Sequence, residues 1–270
     1  MVVLKLKFIF VMQDQSKFLK ISQLQFFKKL QMLQKIIILF LFTVSVFGQS
    51  NANFVYSVTP IPSEKGNLEE MMKSLDESYE YKVSTLEFNL VTNKKESSCF
   101  SISEKSKKIN SGSVKMFVGM AGYNSIIKQS KDSVFFEINM EMWNKVYITK
   151  QPVESDWKIT TESKEIMGYL CYKAVTKKTV INSVGTFVSD VIAWFCPKFP
   201  YPFGPIGYGN LPGLILELQT KNALFGITKI DLQSAETICE FNKSATVTTQ
   251  KELDDLAMKH HEEFSEKLKN

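Results

Sequence analysis

The acidic side chains of residues 134 to 142 have the most regular spacing of any groups that could do chemistry in this chain. Glu137, Asn139 and Glu141 alternate with apolar residues, so on a β-strand they share one face at intervals of about 7 Å. Two carboxylates at that separation fall within the range that glycoside hydrolases use. Alternating acids on an outer strand face are normally solvated. A secreted hydrolase that uses carboxylates is therefore kept as an alternative hypothesis.

The histidines and glycines do not match the common patterns of metal, nucleophile or nucleotide sites. His260 and His261 are the only histidines, and neighbouring helical residues point about 100° apart, whereas the metalloprotease pattern needs histidines four residues apart. There is no Cys-x-x-Cys pair, and the glycines at 204, 207 and 209 lack the lysine and the following helix of a phosphate loop. We therefore predict no cofactor and no metal, assign no catalytic residue, and favour a protein that is not an enzyme.

The four cysteines, Cys99, Cys171, Cys196 and Cys239, allow three disulfide pairings. Disulfides form in oxidising compartments, which an exported chain reaches. A hairpin centred near residue 183 or 184 would place Cys171 nearly opposite Cys196, so this pair is favoured. Free buried cysteines are the alternative.

The N-terminal 48 residues contain a predicted secretory signal. Lys35 precedes an uncharged apolar run over residues 36 to 47, which is shorter than the roughly 20 residues that span a bilayer. Small residues follow, and cleavage is predicted after Gly48, with residues 1 to 31 as an upstream extension. The mature chain is predicted to be exported, to the periplasm or the extracellular space, without an integral membrane segment; an uncleaved anchor is the alternative.

The charge of the mature chain argues against nucleic-acid binding. All 33 basic residues are lysine, because the sequence contains no arginine. Seven of these lysines and one aspartate lie in residues 1 to 48, which leaves 26 basic and 27 acidic residues in the mature chain. A nearly neutral chain lacks the basic excess of a nucleic-acid binder, and lysine lacks the planar fork that binds phosphate at two points.

Residue periodicity predicts a mainly β fold around these groups. Apolar residues at 68, 71, 72 and 75 predict a short helix over 67–75, and Thr249 with Glu252 predicts a capping box that begins an amphipathic C-terminal helix. Short alternating runs predict strands: 79–83, 86–90, 98–102, 114–117, 134–142, 146–149, 157–159, 169–175, 187–195, 214–219 and 224–232. We predict one domain over residues 49 to 270, a curved antiparallel sheet of half-barrel or sandwich form with these two helices.

A segment rich in proline and glycine, residues 200 to 212, interrupts this pattern. It carries the aromatic residues Tyr201, Phe203 and Tyr208 among four prolines. Prolines fix φ and glycines permit turns that other residues resist, so the segment should be a rigid loop. We favour a structural plug at one end of the sheet, and the alternative is a binding surface made of aromatic side chains.

The chain resembles the bacterial GLPGLI family, which has no established biochemical role, over most of its mature length and most clearly over residues 157 to 218. Three blocks carry the resemblance in order: the stretch from Trp157 to Ala174, the triplet Ala193-Trp194-Phe195, and the stretch from Gly204 to Glu217. Its motif residues are Trp194, Gly204, Pro205, Tyr208, Gly209, Asn210, Leu211, Pro212, Gly213, Leu214 and Ile215. The resemblance implies an exported, β-rich protein of the cell envelope, and it supplies no catalytic residues.

The first functional hypothesis is a non-catalytic envelope module that binds or carries a partner protein, a peptide or an apolar ligand. The alternatives are the hydrolase described above and an accessory subunit of an outer-membrane uptake or secretion assembly. An apolar groove would favour the binding module, and acids that converge in a cleft would favour the hydrolase. An exposed apolar patch around residues 201 to 208 would favour the assembly subunit.

Overall fold

The computed structural model describes residues 28–35, 51–62, 68–93, 96–182 and 185–269. The chain divides into two units, Met1–Gln49 and Ser50–Asn270. In the first unit, residues 28–35 form helix α1. The predicted signal segment, its cleavage site and the start of the predicted helix at Asn67 lie outside the described residues. No helix in the described part of the chain has the length and apolar character needed to cross a membrane.

The described strands of the second unit form one open sheet. Their bounds are β1 Asn51–Pro60, β2 Glu87–Asn93, β3 Ser97–Ile102, β4 Ile127–Ser130, β5 Ser133–Met140, β6 Lys145–Pro152, β7 Lys158–Ile166, β8 Tyr169–Asn182, β9 Gly185–Cys196, β10 Leu214–Gln219, β11 Ala223–Ser234 and β12 Thr246–Thr248. The spatial order is β12-β6-β5-β4-β3-β2-β1-β11-β10-β9-β8-β7. Neighbours are antiparallel except β12 and β6, which are parallel. The predicted mainly β, antiparallel architecture is confirmed, with one parallel edge strand and no closure.

Four helices accompany the sheet: α2 Leu68–Leu75, α3 Tyr79–Ser84, α4 Gly112–Met120 and α5 Gln250–Lys269. The predictions of α2 and α5 are confirmed. The capping box of α5 forms as expected, because the Thr249 backbone N–H donates to Glu252 Oε2 at 2.9 Å and the Glu252 N–H donates to Thr249 Oγ1 at 3.2 Å. These two bonds satisfy donors that the first helical turn leaves without a partner.

Two predicted strands are helices instead. Residues 79–83 form most of α3, with Tyr79 and Val83 buried and Tyr81 73% exposed. Positions 79 and 83 lie on the same side of either a strand or a helix, so five residues could not separate the two periods. Residues 114–117 belong to α4, where the Ser111 hydroxyl accepts from the Val114 N–H and caps the helix.

Strands β1, β4 and β12 are absent from the predicted elements. β1 lies in the middle of the sheet, between β2 and β11. Its alternation is present in the sequence, since Phe54, Tyr56 and Val58 are buried on one side. β4 has only four residues, too few to show a period.

The sheet has two faces with different roles. The core face carries buried aromatic rings on neighbouring strands, and these rings pack at centroid distances from 5.3 to 6.2 Å: Tyr56, Phe88, Phe100 and Phe225. The outer face carries the residues that alternate with them, among which are Asn53, Val55, Asn89 and Ser101. An irregular segment crosses each face. We name residues 197–213 the plug loop, on the core face, and residues 235–245 the strap, on the outer face.

Candidate functional site

The plug loop is packed inside the molecule. Phe203 is fully buried, and Ile206 and Leu211 join the same hydrophobic core. The turn at the loop's tip is tight because a Cβ on Gly207 would come within 2.6 Å of Val134 on β5. The exposed aromatic patch that would have favoured an assembly subunit is therefore not formed by this loop.

Hydrogen bonds fix the outer half of the plug loop. Gly209 O accepts from Trp157 Nε1 at 2.8 Å, and Asn210, with φ of 61°, donates its N–H to Pro202 O at 3.0 Å. The Tyr208 ring packs 6.0 Å from the Trp157 ring, and burial raises the pKa of Tyr208 to about 12. These contacts hold the loop in place and leave few of its polar groups free to bind a ligand.

Close packing around β10 accounts for Gly204 and for the run Gly213-Leu214-Ile215. A Cβ on Gly213 would lie 2.3 Å from Cys196 O, and one on Gly204 would lie 2.7 Å from Ile215 Cδ1. Leu214 and Ile215 are fully buried, and the Ile215 N–H donates to Phe203 O at 3.0 Å. The motif contains two prolines, of which Pro205 is buried and Pro212 is exposed.

Trp194 lies away from the plug loop, on the outer face of β9. The Lys164 ammonium lies 4.4 Å from the centre of its ring and also pairs with Glu217 at 2.6 Å. The three side chains thus satisfy one another across β7, β9 and β10. This cluster stabilises that end of the sheet and presents no convergent group to a ligand.

The favoured Cys171–Cys196 disulfide is not the bond that the structure contains. Cys99 and Cys239 are bonded, and Cys171 and Cys196 are free and buried. The hairpin itself is centred as predicted, since Asn182 pairs with Gly185. The two cysteines face each other across the hairpin without a bond; the Cys171 thiol donates to Tyr169 O at 3.4 Å, and burial raises its pKa to about 12, with a further rise from neighbouring Cys196.

The predicted carboxylate row does not form a solvated or catalytic face. Glu137 is buried under the strap, where it accepts from Ser125 Oγ at 2.7 Å and from the Asn242 N–H at 2.6 Å. Glu141 lies beyond the end of β5 in a 3-10 turn and pairs with Lys115 at 3.1 Å. The sequence could not show this difference, because the strap that covers Glu137 comes from residues about one hundred positions later.

His260 also makes a structural contact. The His260 ring stacks on Trp143 with 4.3 Å between ring centres, which ties α5 to the turn after β5. The side chain of His261 lies outside the described residues. Within the described part of the chain, no group of three His, Cys, Asp or Glu side chains converges in a way that could hold a metal ion.

The outer face contains a large cleft of about 1370 Å³ between the sheet and the strap. Its floor is made by alternate residues of the three strands β1, β2 and β3: Asn53, Val55, Asn89, Val91, Cys99 and Ser101. The strap forms one wall with Glu236, Thr237 and Cys239, and the connection from β3 to β4 contributes residues 103–107, 109, 114–116, 118 and 123–126 to the lining. The cleft is the candidate binding site.

Asn53 is the most unusual residue of the cleft floor. Its side chain is only 8% exposed, and its Nδ2 donates to Asn89 Oδ1 at 3.4 Å. Among the described residues, its Oδ1 has no hydrogen-bond partner. A buried amide oxygen without a partner is costly, typically about 1–3 kcal/mol, and a hydrogen-bond donor that reached it would remove that cost.

The cleft lining mixes polar and apolar side chains and is balanced in charge. It includes four asparagines, four serines, two threonines, four lysines and four glutamates. Several of the charges pair with each other at the rim, such as Glu87 with Lys105 at 3.6 Å and Glu141 with Lys115 at 3.1 Å. The lining therefore offers many neutral donors and acceptors without a net field of either sign.

Sequence reasoning missed this site. Strand β1, which carries Asn53, was not predicted, and the floor needs β1, β2 and β3 in register. The available signal was the alternation of small polar residues with buried aromatics, as in Phe88-Asn89 and Phe100-Ser101. That alternation shows which residues share a face but not which strands are neighbours.

Comparison with known protein families identifies one that matches this chain. Residues 87–260 match the family described as "N-glycanase peptide, N-terminal domain", which is more than half of the chain. A search of curated proteins found no match.

Two similar solved structures show how far the likeness extends. A structure of PNGF-II is 16% identical with a TM-score of 0.47 and covers 77% of this chain, and the chain spans about a third (33%) of PNGF-II. The LolA superfamily protein NE2245 from Nitrosomonas europaea is 9% identical with a TM-score of 0.25, and the match covers 70% of this chain and 89% of that one. By the family match, the chain belongs to the N-glycanase peptide N-terminal domain family.

Proposed function

We propose that this protein is an exported, non-catalytic module that binds a neutral glycan in the outer-face cleft. The observation that carries the proposal is Asn53, a buried amide on the cleft floor whose Oδ1 has no partner among the described residues. Sugar hydroxyls both donate and accept hydrogen bonds. The neighbouring amides of Asn53 and Asn89 likewise offer both functions, so they match a sugar edge.

The size of the cleft supports a chain-like ligand. Its volume of about 1370 Å³ exceeds the roughly 300–1,000 Å³ of sites for drug-sized molecules. Polar side chains continue from the floor to the strap wall, where Thr237 and Glu236 line the same space. A ligand of several linked sugar units would use this length, whereas a single small molecule would contact only part of it.

The balanced charge of the lining favours a neutral ligand. An anionic polymer would require an excess of lysines, and four lysines are matched by four glutamates here. Three of the six floor residues, Asn53, Asn89 and Ser101, carry polar side chains, which supports a glycan over the apolar ligand considered from the sequence. No specific observation favours a hydrolase, since the rim carboxylates Glu87 and Glu141 are engaged by lysines.

Export is part of the same proposal. The Cys99–Cys239 disulfide fits an oxidising compartment, the periplasm or the extracellular space, and the predicted signal segment would direct the chain there. We also propose that the chain is related to the GLPGLI proteins, because it carries the motif residues from Gly204 to Ile215. The family description, which names an N-glycanase, agrees with a ligand that contains sugar.

A titration with one oligosaccharide and one variant tests the proposal. The exported protein is titrated by calorimetry with a neutral high-mannose oligosaccharide, the same oligosaccharide on a peptide, and the bare peptide. We expect binding of the first two, and at least a tenfold loss of affinity in Asn53→Leu. Because Leu removes the buried Oδ1 that has no partner and loses only the long 3.4 Å bond to Asn89, the variant should be about as stable as the wild type.

The control is Asn110→Leu, since Asn110 is exposed and outside the cleft lining. It should bind like the wild type. Binding of the bare peptide alone would show a peptide module in place of a glycan module. Unchanged oligosaccharide affinity in Asn53→Leu would show that the cleft floor is not the site.

A further inference from the structure

The strap crosses the outer face and ends in a turn, where the Ala245 N–H donates to Asn242 O at 3.0 Å. It joins β11 to β12, and six strands lie between these two in the sheet. Seven inter-strand spacings of about 4.8 Å amount to about 34 Å. The twelve residue steps from Ser234 to Thr246 reach at most about 40–43 Å when fully extended. The strap therefore has little slack, and its position depends on where it is attached.

The attachments occur in the order of the strands beneath. Each attachment joins a later strap residue to a strand nearer the β12 edge. Glu236 O accepts from Asn51 Nδ2 of β1 at 2.8 Å, and Cys239 is bonded to Cys99 of β3. The Phe241 ring lies 4.7 Å from the Lys128 ammonium of β4, and the Asn242 N–H donates to Glu137 Oε2 of β5 at 2.6 Å. The disulfide is the only covalent attachment among them, within the described residues.

The disulfide is also the attachment that forms part of the cleft. Cys99 and Cys239 both line it, together with the strap residues Glu236 and Thr237. The neighbouring bonds to Asn51 and Glu137 lie on either side along the strap. Without the disulfide, the part of the strap that forms the wall would be held only by hydrogen bonds that water can replace and by the contact of Phe241 with Lys128.

We infer that the Cys99–Cys239 disulfide is a positioning bond that holds the strap as a preformed wall of the cleft and so sets the affinity for the ligand. This inference rests on the proposed function. Its physical basis is that a wall already in its bound position does not lose conformational freedom on binding, whereas a loosened strap must be ordered by the ligand. Glu236 and Thr237 would then contact the ligand only when the bond is intact.

The test compares two double variants of the full exported chain. The first variant, Cys99→Ser with Cys239→Ser, removes the bond. The second variant, Cys171→Ser with Cys196→Ser, is the matched control, because it replaces two buried cysteines that are not bonded. With the neutral oligosaccharide as probe, the first variant should bind at least tenfold more weakly than the wild type, and the control should bind equally well. Equal affinity of the first variant and the wild type would overturn the inference.

Hydrogen exchange gives a readout that does not depend on the ligand. Loss of the bond should raise exchange at residues 236 to 242 while β1, β2 and β3 stay protected; unchanged protection of the strap would overturn the inference. If wild-type protein does not bind the oligosaccharide, the proposed function fails, and this exchange result still decides the role of the bond. If the double serine variant does not fold, Glu137→Gln, which loosens the next attachment and keeps the disulfide, is measured for the same two effects.

Discussion

The plug loop and the strap are two irregular segments that cross opposite faces of one sheet, and they are held by different means. The plug loop is fixed by packing, with Phe203 and Leu211 in the core and glycines where any side chain would collide. The strap is fixed at separate points by a disulfide, hydrogen bonds and a cation–π contact. One segment closes the core, and the other leaves a cleft beneath it.

This difference shows why a motif rich in glycine and proline need not be the binding site. Packing against the core restricts nearly every residue of the plug loop, so its composition is distinctive. Point attachments restrict only a few strap residues, such as Cys239 and Asn242, and leave the remainder free to line a cleft. Substitutions should therefore damage the stability of the protein in the plug loop and its ligand affinity in the strap.

The largest effect is expected from Gly213→Ala. The new Cβ would lie 2.3 Å from Cys196 O, and backbone rather than a flexible side chain would have to move. We expect a loss of more than about 4 kcal/mol in the free energy of unfolding, measured by urea denaturation. The matched control is Gly226→Ala, where the added Cβ meets nothing within 4 Å. Similar stability of both variants would show that the loop is not held by packing.

A pair of phenylalanine truncations compares the two segments directly. Phe203→Ala, in the plug loop, removes a fully buried ring and should cost about 3–5 kcal/mol. Phe241→Ala, in the strap, removes a partly exposed ring near Lys128 and should cost about 1 kcal/mol or less. Thermal unfolding of both variants checks the prediction. Equal costs would mean that the strap is packed like a core segment.

The smallest effect is expected from Tyr208→Phe, and only at high pH. Burial raises the folded-state pKa of Tyr208 to about 12, above its ordinary value near 10. The stabilising contribution is present below pH about 10 and is lost as the pH rises toward 12, because the unfolded state releases its proton first. The variant should lose less stability than the wild type between pH 9 and 11. An identical pH profile would show that Tyr208 does not contribute to the alkaline loss.

The sequence by itself determined the local features of this protein. The capping box of Thr249 and Glu252, the alternation of β5 and the hairpin centred between residues 182 and 185 all depend on contacts between near neighbours in the chain. Five residues such as 79–83 were too few to separate a strand from a helix. A mainly β class and a rigid plug loop could therefore be predicted, while two short helices could not.

Only the tertiary structure decided the candidate site. Asn53 and Asn89 are 36 residues apart, and Cys99 and Cys239 are 140 residues apart. Their meeting depends on the order and register of β1, β2 and β3 and on a strap that crosses six strands. A two-residue period shows which side chains share a face, but it carries no information about which distant strand lies beside it. Burial of Glu137 has the same cause, since its cover arrives from the strap.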